Sequence, residues 1–319
     1  MKKRDIALAI CGGVAAAVAV KMLTRSKRVD WYTVRSHVPH SDKSHFIAVD
    51  GCRVHFQEFG DDRDPPIILI HGYAASVYAW NVVAPMIAEA GFRVIAVDLI
   101  GFGYSEKPPW FEYTINAQAR MIARFMDRMG IGKATIIGSS YGGAVAATLA
   151  LDYSARLEAL ILVDAVINDD LKNHPVFRLG AYRGIGEVMA PFLIDSRRFM
   201  RIRMNNTLAA TNRHMVTDER IENIVRPLSN AEGHRSALAT SRNWEATRIE
   251  QDAHLINHQT LLIWGEHDKV IPVRNGHKLY DSILHSRLVI LKDCGHVPQE
   301  EKSEAFAELV INFCLGENQ

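Results

Sequence analysis

The sequence predicts an α/β protein: a mostly parallel sheet with helices on both faces, interrupted by an inserted helical cap. Three observations carry this. From residue 44 onward, short runs rich in Ile, Val and Leu alternate with longer segments of helical periodicity, as strands buried on both faces require. The alternation stops after Val166, gives way to helical patterns over 167–253, and resumes at Leu261. The chain, at 319 residues, is longer than one α/β core of about 250 residues, which leaves room for an insertion.

In chain order, the first element is an apolar segment with basic flanks. Lys2, Lys3 and Arg4 precede an uncharged run from Ile6 to Val20, and Lys21, Arg25, Lys27 and Arg28 follow it. As a helix the run spans about 22 Å, against a hydrocarbon core of about 30 Å. Met22 and Leu23 extend it past a snorkelling Lys21, and Trp31 and Tyr32 stand where an interfacial anchor would. Residues 1–28 therefore read as a single-pass membrane anchor. The alternative is a signal peptide cleaved near Ala17-Val18-Ala19, a small-x-small site. Basic residues on both sides leave the orientation open.

His45–Val49 and Arg53–Phe59 alternate apolar and polar residues around Asp50-Gly51, the pattern of a hairpin. Buried strands are expected at Pro66–Ile70, Arg93–Asp98, Ala134–Gly138 and Ala159–Val163, with helices over Val77–Glu89, Ile115–Met129 and Tyr141–Tyr153. Beyond the helical block come strand Leu261–Trp264, helix Val273–Leu284, strand Leu288–Leu291 and a closing helix Gln299–Phe313. Residues 44–166 and 254–316 then form one core. Residues 167–253 leave from a strand's carboxyl end, where open α/β sheets bind ligands, and read as a lid. Within the lid, Arg197-Arg198-Phe199-Met200-Arg201-Ile202-Arg203-Met204 is read as a solvated helix face with an apolar underside. A sharper reading sets its arginines on lipid phosphates.

The balance of 37 Lys+Arg against 36 Asp+Glu excludes both a strongly basic nucleic-acid binder and an acidic disordered chain. Four cysteines without C-x-x-C or metal-ligand spacing exclude a disulfide scaffold, and no motif calls for a metal or cofactor. The near-neutral total hides a split. Residues 1–28 hold seven basic residues and one acidic, a net of +6, which leaves −5 for residues 29–319.

The chemistry is concentrated at strand ends. Strand Ala134–Gly138 runs into Gly138-Ser139-Ser140-Tyr141-Gly142-Gly143, a G-x-S-x-G turn that opens a helix. So tight a turn needs glycine on both sides of Ser140, and it lifts the hydroxyl above the sheet over a helix N-terminus that favours negative charge. Serine is a weak nucleophile until a base takes its proton, and the base needs an orienting acid. His296 follows strand Leu288–Leu291 and is the expected base. Asp268 follows strand Leu261–Trp264 and is the expected acid, with Asp164 and Glu266 as the alternatives.

These motifs resemble those of the α/β-hydrolase superfamily over residues 44 to 316, in its serine esterase and lipase branch, which includes bacterial lipases and monoacylglycerol lipases. The resemblance extends to His71-Gly72-Tyr73 and to Asp98-Leu99-Ile100-Gly101-Phe102-Gly103-Tyr104-Ser105. It implies that the backbone N–H groups of Tyr73 and Tyr141 form the oxyanion hole, and that His71 shapes that loop. It also implies hydrolysis of a small-molecule carboxylic ester through an acyl-serine, with lipid-derived esters such as monoacylglycerols expected. C–C bond hydrolysis, thioester or lactone cleavage, and a non-catalytic binding relative remain alternatives. Serine at the elbow disfavours the aspartate-nucleophile dehalogenases and epoxide hydrolases. Ala74-Ala75-Ser76 after Tyr73 departs from the Gly-Pro-Gly usual in C–C hydrolases of the aromatic-degradation type.

Overall fold

The computed structural model describes residues 28–173, 177–178 and 181–317. Nearly all of the expected anchor, residues 1–28, lies outside them; among the described residues no helix is long and apolar enough to cross a membrane. The sheet begins at the hairpin. Asp50 (φ 47°) and Gly51 (φ 81°) both take positive φ, the turn that matches strand twist, so β1 (Ser44–Val49) and β2 (Cys52–Phe59) pair antiparallel. The remaining strands are β3 (Pro66–Ile70), β4 (Arg93–Val97), β5 (Ala134–Ser139), β6 (Leu157–Val163), β7 (Thr260–Gly265) and β8 (Ser286–Leu291). They stand in the order β1-β2-β4-β3-β5-β6-β7-β8. β2 is antiparallel to β4, and every pairing beyond it is parallel. All eight expected strands form, with ends shifted by up to two residues.

The chain starts its parallel part at β3, adds β4 on one side and then β5 on the other. That reversal opens a crevice at the carboxyl ends of β3 and β5. The central strands are buried on both faces. Ile68 and Ile70 face a cluster with α2 (Ile115–Arg128) and α3 (Tyr141–Asp152), while Ile67 and Leu69 face α1 (Val83–Glu89) and the carboxyl-terminal helix. The helix expected over Val77–Glu89 divides into a 3-10 turn, Val77–Trp80, and α1. Pro85 is the reason: without an N–H it fits only in a first turn, so α1 starts at Val83.

Between β6 and β7 runs a helical block, the segment read above as a lid and referred to by that word below, with α4 (Ile185–Leu193), α5 (Arg197–Thr207), α6 (Asp218–Val225), α7 (Ala231–Arg242) and α8 (Thr247–Asp252). Ser196, Thr217 and Asn230 cap α5, α6 and α7 by accepting backbone N–H bonds from Phe199, Arg220 and Gly233. Met200, Met204 and Leu208 form the apolar underside and pack on Val216, Ile221 and Val225. Arg197 pairs with Glu222 at 2.5 Å, and Arg201 pairs with Asp218 and with the Val216 carbonyl. Two of the four arginines thus have acidic partners within the same helical block, in ion pairs open to solvent.

After β7 come α9 (Arg274–Ser282), then α10 (Pro298–Glu301) and α11 (Ser303–Cys314) following β8. The single closing helix expected over Gln299–Phe313 is broken at Lys302 (φ −137°, ψ 50°). The break turns the first piece back onto the loop that precedes it.

Candidate active site

The elbow is built by exclusion of side chains. A Cβ on Gly138 would lie 2.2 Å from the Gly142 carbonyl oxygen, and one on Gly142 would lie 2.2 Å from the Ile70 carbonyl oxygen. The second glycine therefore makes room for the end of β3, and Gly143 does the same for Ala165 beyond β6, at 2.5 Å. Ser140 itself sits at φ 55°, ψ −117°, a costly conformation for a non-glycine residue. Its N–H donates to the Val163 carbonyl, and its own carbonyl accepts from Gly143, Ala144 and Val166. Gly142→Ala cannot relax against two backbone carbonyls, so we expect loss of several kcal/mol, read as a collapse of soluble yield and a large drop in melting temperature. A melting curve matching the parent would refute the clash.

Ser140, Asp268 and His296, distant in sequence, meet here. His296 Nε2 lies 3.0 Å from Ser140 Oγ, and His296 Nδ1 lies 2.7 Å from Asp268 Oδ2. Asp268 is held on its other oxygen by the Val270 and Ile271 N–H groups at 2.7 and 3.0 Å. Ser140 stays partly open while Asp268 and His296 are buried. Of the other acids, Glu266 is exposed and accepts from the Asp293 N–H at 3.3 Å, away from the imidazole.

Asp164 is nearer. It is fully buried at the end of β6 with φ 42°, and one of its oxygens accepts the Gly265 N–H at 2.9 Å. It makes no hydrogen bond to His296 but lies behind Asp268, the ligand-type atoms of Asp164, Asp268 and His296 all falling within 4.8 Å of one another. Burial, and then the neighbouring Asp268 carboxylate, push the Asp164 carboxyl well above the usual carboxylate range.

On the opposite side of the crevice, His71 is buried and neutral: burial lowers its pKa, and its Nε2 accepts the Leu99 N–H at 3.1 Å. Its Nδ1–H then donates to the Gly72 carbonyl at 2.8 Å, which fixes the loop leading to Tyr73. Ala74, at φ 57°, completes a strained turn there. Among the described residues, the N–H groups of Tyr73 and Tyr141 have no protein acceptor. Two free N–H groups beside a serine hydroxyl can hold an oxyanion. Asp98 supports the same loop from below, accepting from Val77 N–H, Tyr104 N–H and His55 Nδ1, each at 2.7 Å.

The wall of the site is aromatic. Tyr73 stacks edge-on against Phe102 and Trp244 at centroid distances of 5.7 and 5.9 Å, and Trp244 meets Tyr141 at 5.1 Å and Phe177 at 5.2 Å. Burial pushes the Tyr73 hydroxyl up to about 12, and it donates to the Ala237 carbonyl of the lid at 2.9 Å. Arg203 is exposed on α5; surrounding protein lowers its pKa, and Tyr73 opposes that shift. No carboxylate among the described residues pairs with it.

A family model described as alpha/beta hydrolase fold matches residues 65–303. The chain is similar to a 2-hydroxymuconate semialdehyde hydrolase from Pseudomonas sp. (strain CF600), 29% identical over 277 residues, covering 84% of this chain and 92% of that protein. It is also similar to the bifunctional epoxide hydrolase 2 of Sus scrofa, at 27% identity, covering 82% of this chain and 53% of that protein. Among solved structures, a meta-cleavage product hydrolase from Pseudomonas fluorescens IP01 superposes with a TM-score of 0.73 at 27% identity, covering 86% of this chain and 98% of that one. Relatives of such different reactions leave the substrate open while agreeing on the scaffold and on hydrolysis. With eight strands in this order, a G-x-S-x-G elbow and three quarters of its length within the family's pattern, the chain belongs to the α/β-hydrolase family.

Proposed function

We propose that the protein is a serine hydrolase acting on a carbonyl compound that carries a carboxylate, by cleavage of a C–C or lactone bond. The continuous contact from Asp268 through His296 to Ser140 supports the chemistry. His296 Nε2 takes the proton as Ser140 Oγ attacks the carbonyl carbon, and the oxyanion is held by the Tyr73 and Tyr141 N–H groups. The scissile bond breaks as His296 returns the proton to the leaving carbon or oxygen. Water, deprotonated by the same imidazole, then attacks the acyl-serine and releases the acid.

Arg203 supports the substrate class. It is a cation with no carboxylate partner among the described residues, with which a substrate carboxylate could pair, and a wall of Tyr73, Phe102 and Trp244 suits a flat conjugated chain. The relative named for 2-hydroxymuconate semialdehyde acts, by its name, on a carboxylate of that kind. Arg203→Gln should lower kcat/KM for p-nitrophenyl hemisuccinate by about 10- to 100-fold, while p-nitrophenyl butyrate falls less than about threefold. Equal losses on both esters would sink the carboxylate reading.

A second reading is hydrolysis of lipid-derived esters such as monoacylglycerols by a membrane-attached enzyme. It is favoured by the apolar segment with basic flanks at residues 1–28 and by Tyr73-Ala74-Ala75-Ser76 in place of Gly-Pro-Gly. Turnover of an oxo-dienoate against a monoacylglycerol by the full chain separates the two, and carbonate-resistant membrane pelleting tests the attachment.

A further inference from the structure

We infer that Glu301 is a positioning residue for His296, joining the histidine loop to the lid through the two oxygens of one carboxylate. The inference rests on His296 being the base, and it concerns a side chain that contacts none of the reacting atoms. Glu301 is the last residue of α10, turned back by the break at Lys302, and it is buried. Its Oε1 accepts the Gly295 N–H at 3.0 Å and the Val297 N–H at 3.4 Å, from the residues on either side of His296. Its Oε2 accepts the Ala209 N–H at 2.9 Å and the Asn212 Nδ2–H at 2.8 Å, both from the lid. No cation pairs with it among the described residues; four N–H donors converge on it instead.

The lid contributes one more bond to the same loop. The His296 N–H donates to the carbonyl of Thr207, the last residue of α5, at 3.0 Å. The histidine's backbone is therefore held on three successive N–H groups, two by Glu301 and one by the lid. Neighbouring side chains of α10 extend the clamp. Glu300 pairs with the buried Arg220 of α6 at 2.7 Å, and Gln299 lies 3.4 Å from Ser139 Oγ beside the elbow. Gly295 leaves room for this packing, since a Cβ there would lie 2.4 Å from the Thr207 carbonyl oxygen and 2.8 Å from Glu301 Oε1. A lid displaced from α10 would pull on the peptide groups that aim the imidazole at Ser140.

The test compares Glu301→Gln, Glu301→Asp and Asn212→Asp by phosphonylation rate with a fluorophosphonate, kcat, KM, pH profile and melting temperature. In Glu301→Gln an NH2 group faces N–H donors, so either the lid half or the loop half of the clamp is lost. Because misplacement of about 1 Å can cost 10²-fold, we expect kcat and the phosphonylation rate to fall about 30- to 100-fold, with KM within about threefold. Glu301→Asp should recover part of this loss, and Asn212→Asp, which sets a second carboxylate against Oε2 from the lid side, should lose about tenfold in kcat. Positioning lowers the plateau of the kcat/KM profile and leaves its acidic midpoint in place. A shifted midpoint with an unchanged plateau would show that Glu301 acts through its charge, overturning the inference. A fall in melting temperature with wild-type phosphonylation in the folded variants would show a structural role alone and would overturn it equally. Failure of the wild-type enzyme to react with the probe would instead reject the serine-hydrolase reading itself.

Discussion

Ser140→Ala is expected to lower kcat by at least about 10⁴-fold, the scale on which triad members act together, and to abolish fluorophosphonate labelling. The structure gives Ser140 no substitute. Ser139 is buried in β5 and lies beside Gln299, whereas among the described residues only the Ser140 hydroxyl meets His296 Nε2, at 3.0 Å. The variant should fold, because the elbow is held by Ser140 backbone groups and by the glycines around it. Its residual rate would report what the oxyanion N–H groups and binding supply alone. A stable Ser140→Ala enzyme with normal turnover would mean that the nucleophile is elsewhere.

Asp268→Asn and Asp164→Asn form the second experiment, and they should behave oppositely. Asp268 Oδ1 accepts two backbone N–H groups, from Val270 and Ile271. An asparagine carbonyl would remain with those donors, so the amide NH2 would be turned toward His296 Nδ1. That selects the tautomer protonated at Nε2, which cannot accept the serine proton. A loss of about 10³- to 10⁴-fold in kcat is expected with little change in stability. Asp164→Asn preserves the acceptor for the Gly265 N–H and should cost less than about tenfold in kcat. A large loss in Asp164→Asn with a small one in Asp268→Asn would exchange their roles.

The same pair predicts a pH dependence of stability. Asp164 has a folded pKa raised well above the ordinary 3.8 by burial and by Asp268. The folded state thus binds this proton more tightly than the unfolded chain does. Its contribution to stability is fully present below the unfolded pKa and is lost as pH rises through the folded one. Asp164→Asn has no such proton to lose, so its melting temperature should gain on the wild type's as pH rises from about 4. Parallel melting curves across that range would contradict a protonated Asp164.

The scaffold was legible in local sequence because strand runs, the Asp50-Gly51 turn and the glycine-flanked elbow are each specified within a few residues. Periodicity placed every strand. It overran at Val77–Glu89, where Pro85 restarts the helix, and at the closing helix, which breaks at Lys302 and so turns Glu301 back on the histidine loop. Ser140 and His296 were readable as candidates because each stands in a turn at a strand's carboxyl end.

The acid needed tertiary structure. Asp164 and Asp268 both follow strands, and these strands are neighbours paired Val163 to Ile263. What separates them is the loop after Gly265, which raises Asp268 to the imidazole and leaves Asp164 behind it, a relation of distance and not of composition. The same holds for the lid. By itself the sequence determined an α/β hydrolase core, a G-x-S-x-G serine and a helical insertion, because those depend on contacts between near neighbours in the chain. Only the folded chain decided that Asp268 faces His296, that Arg197 and Arg201 are paired with Glu222 and Asp218, and that Glu301 joins residues 209 and 212 to residues 295 and 297. Such choices rest on how separate elements dock, across more than 80 residues of chain in the case of Glu301 with Ala209 and Asn212, and no local pattern encodes them.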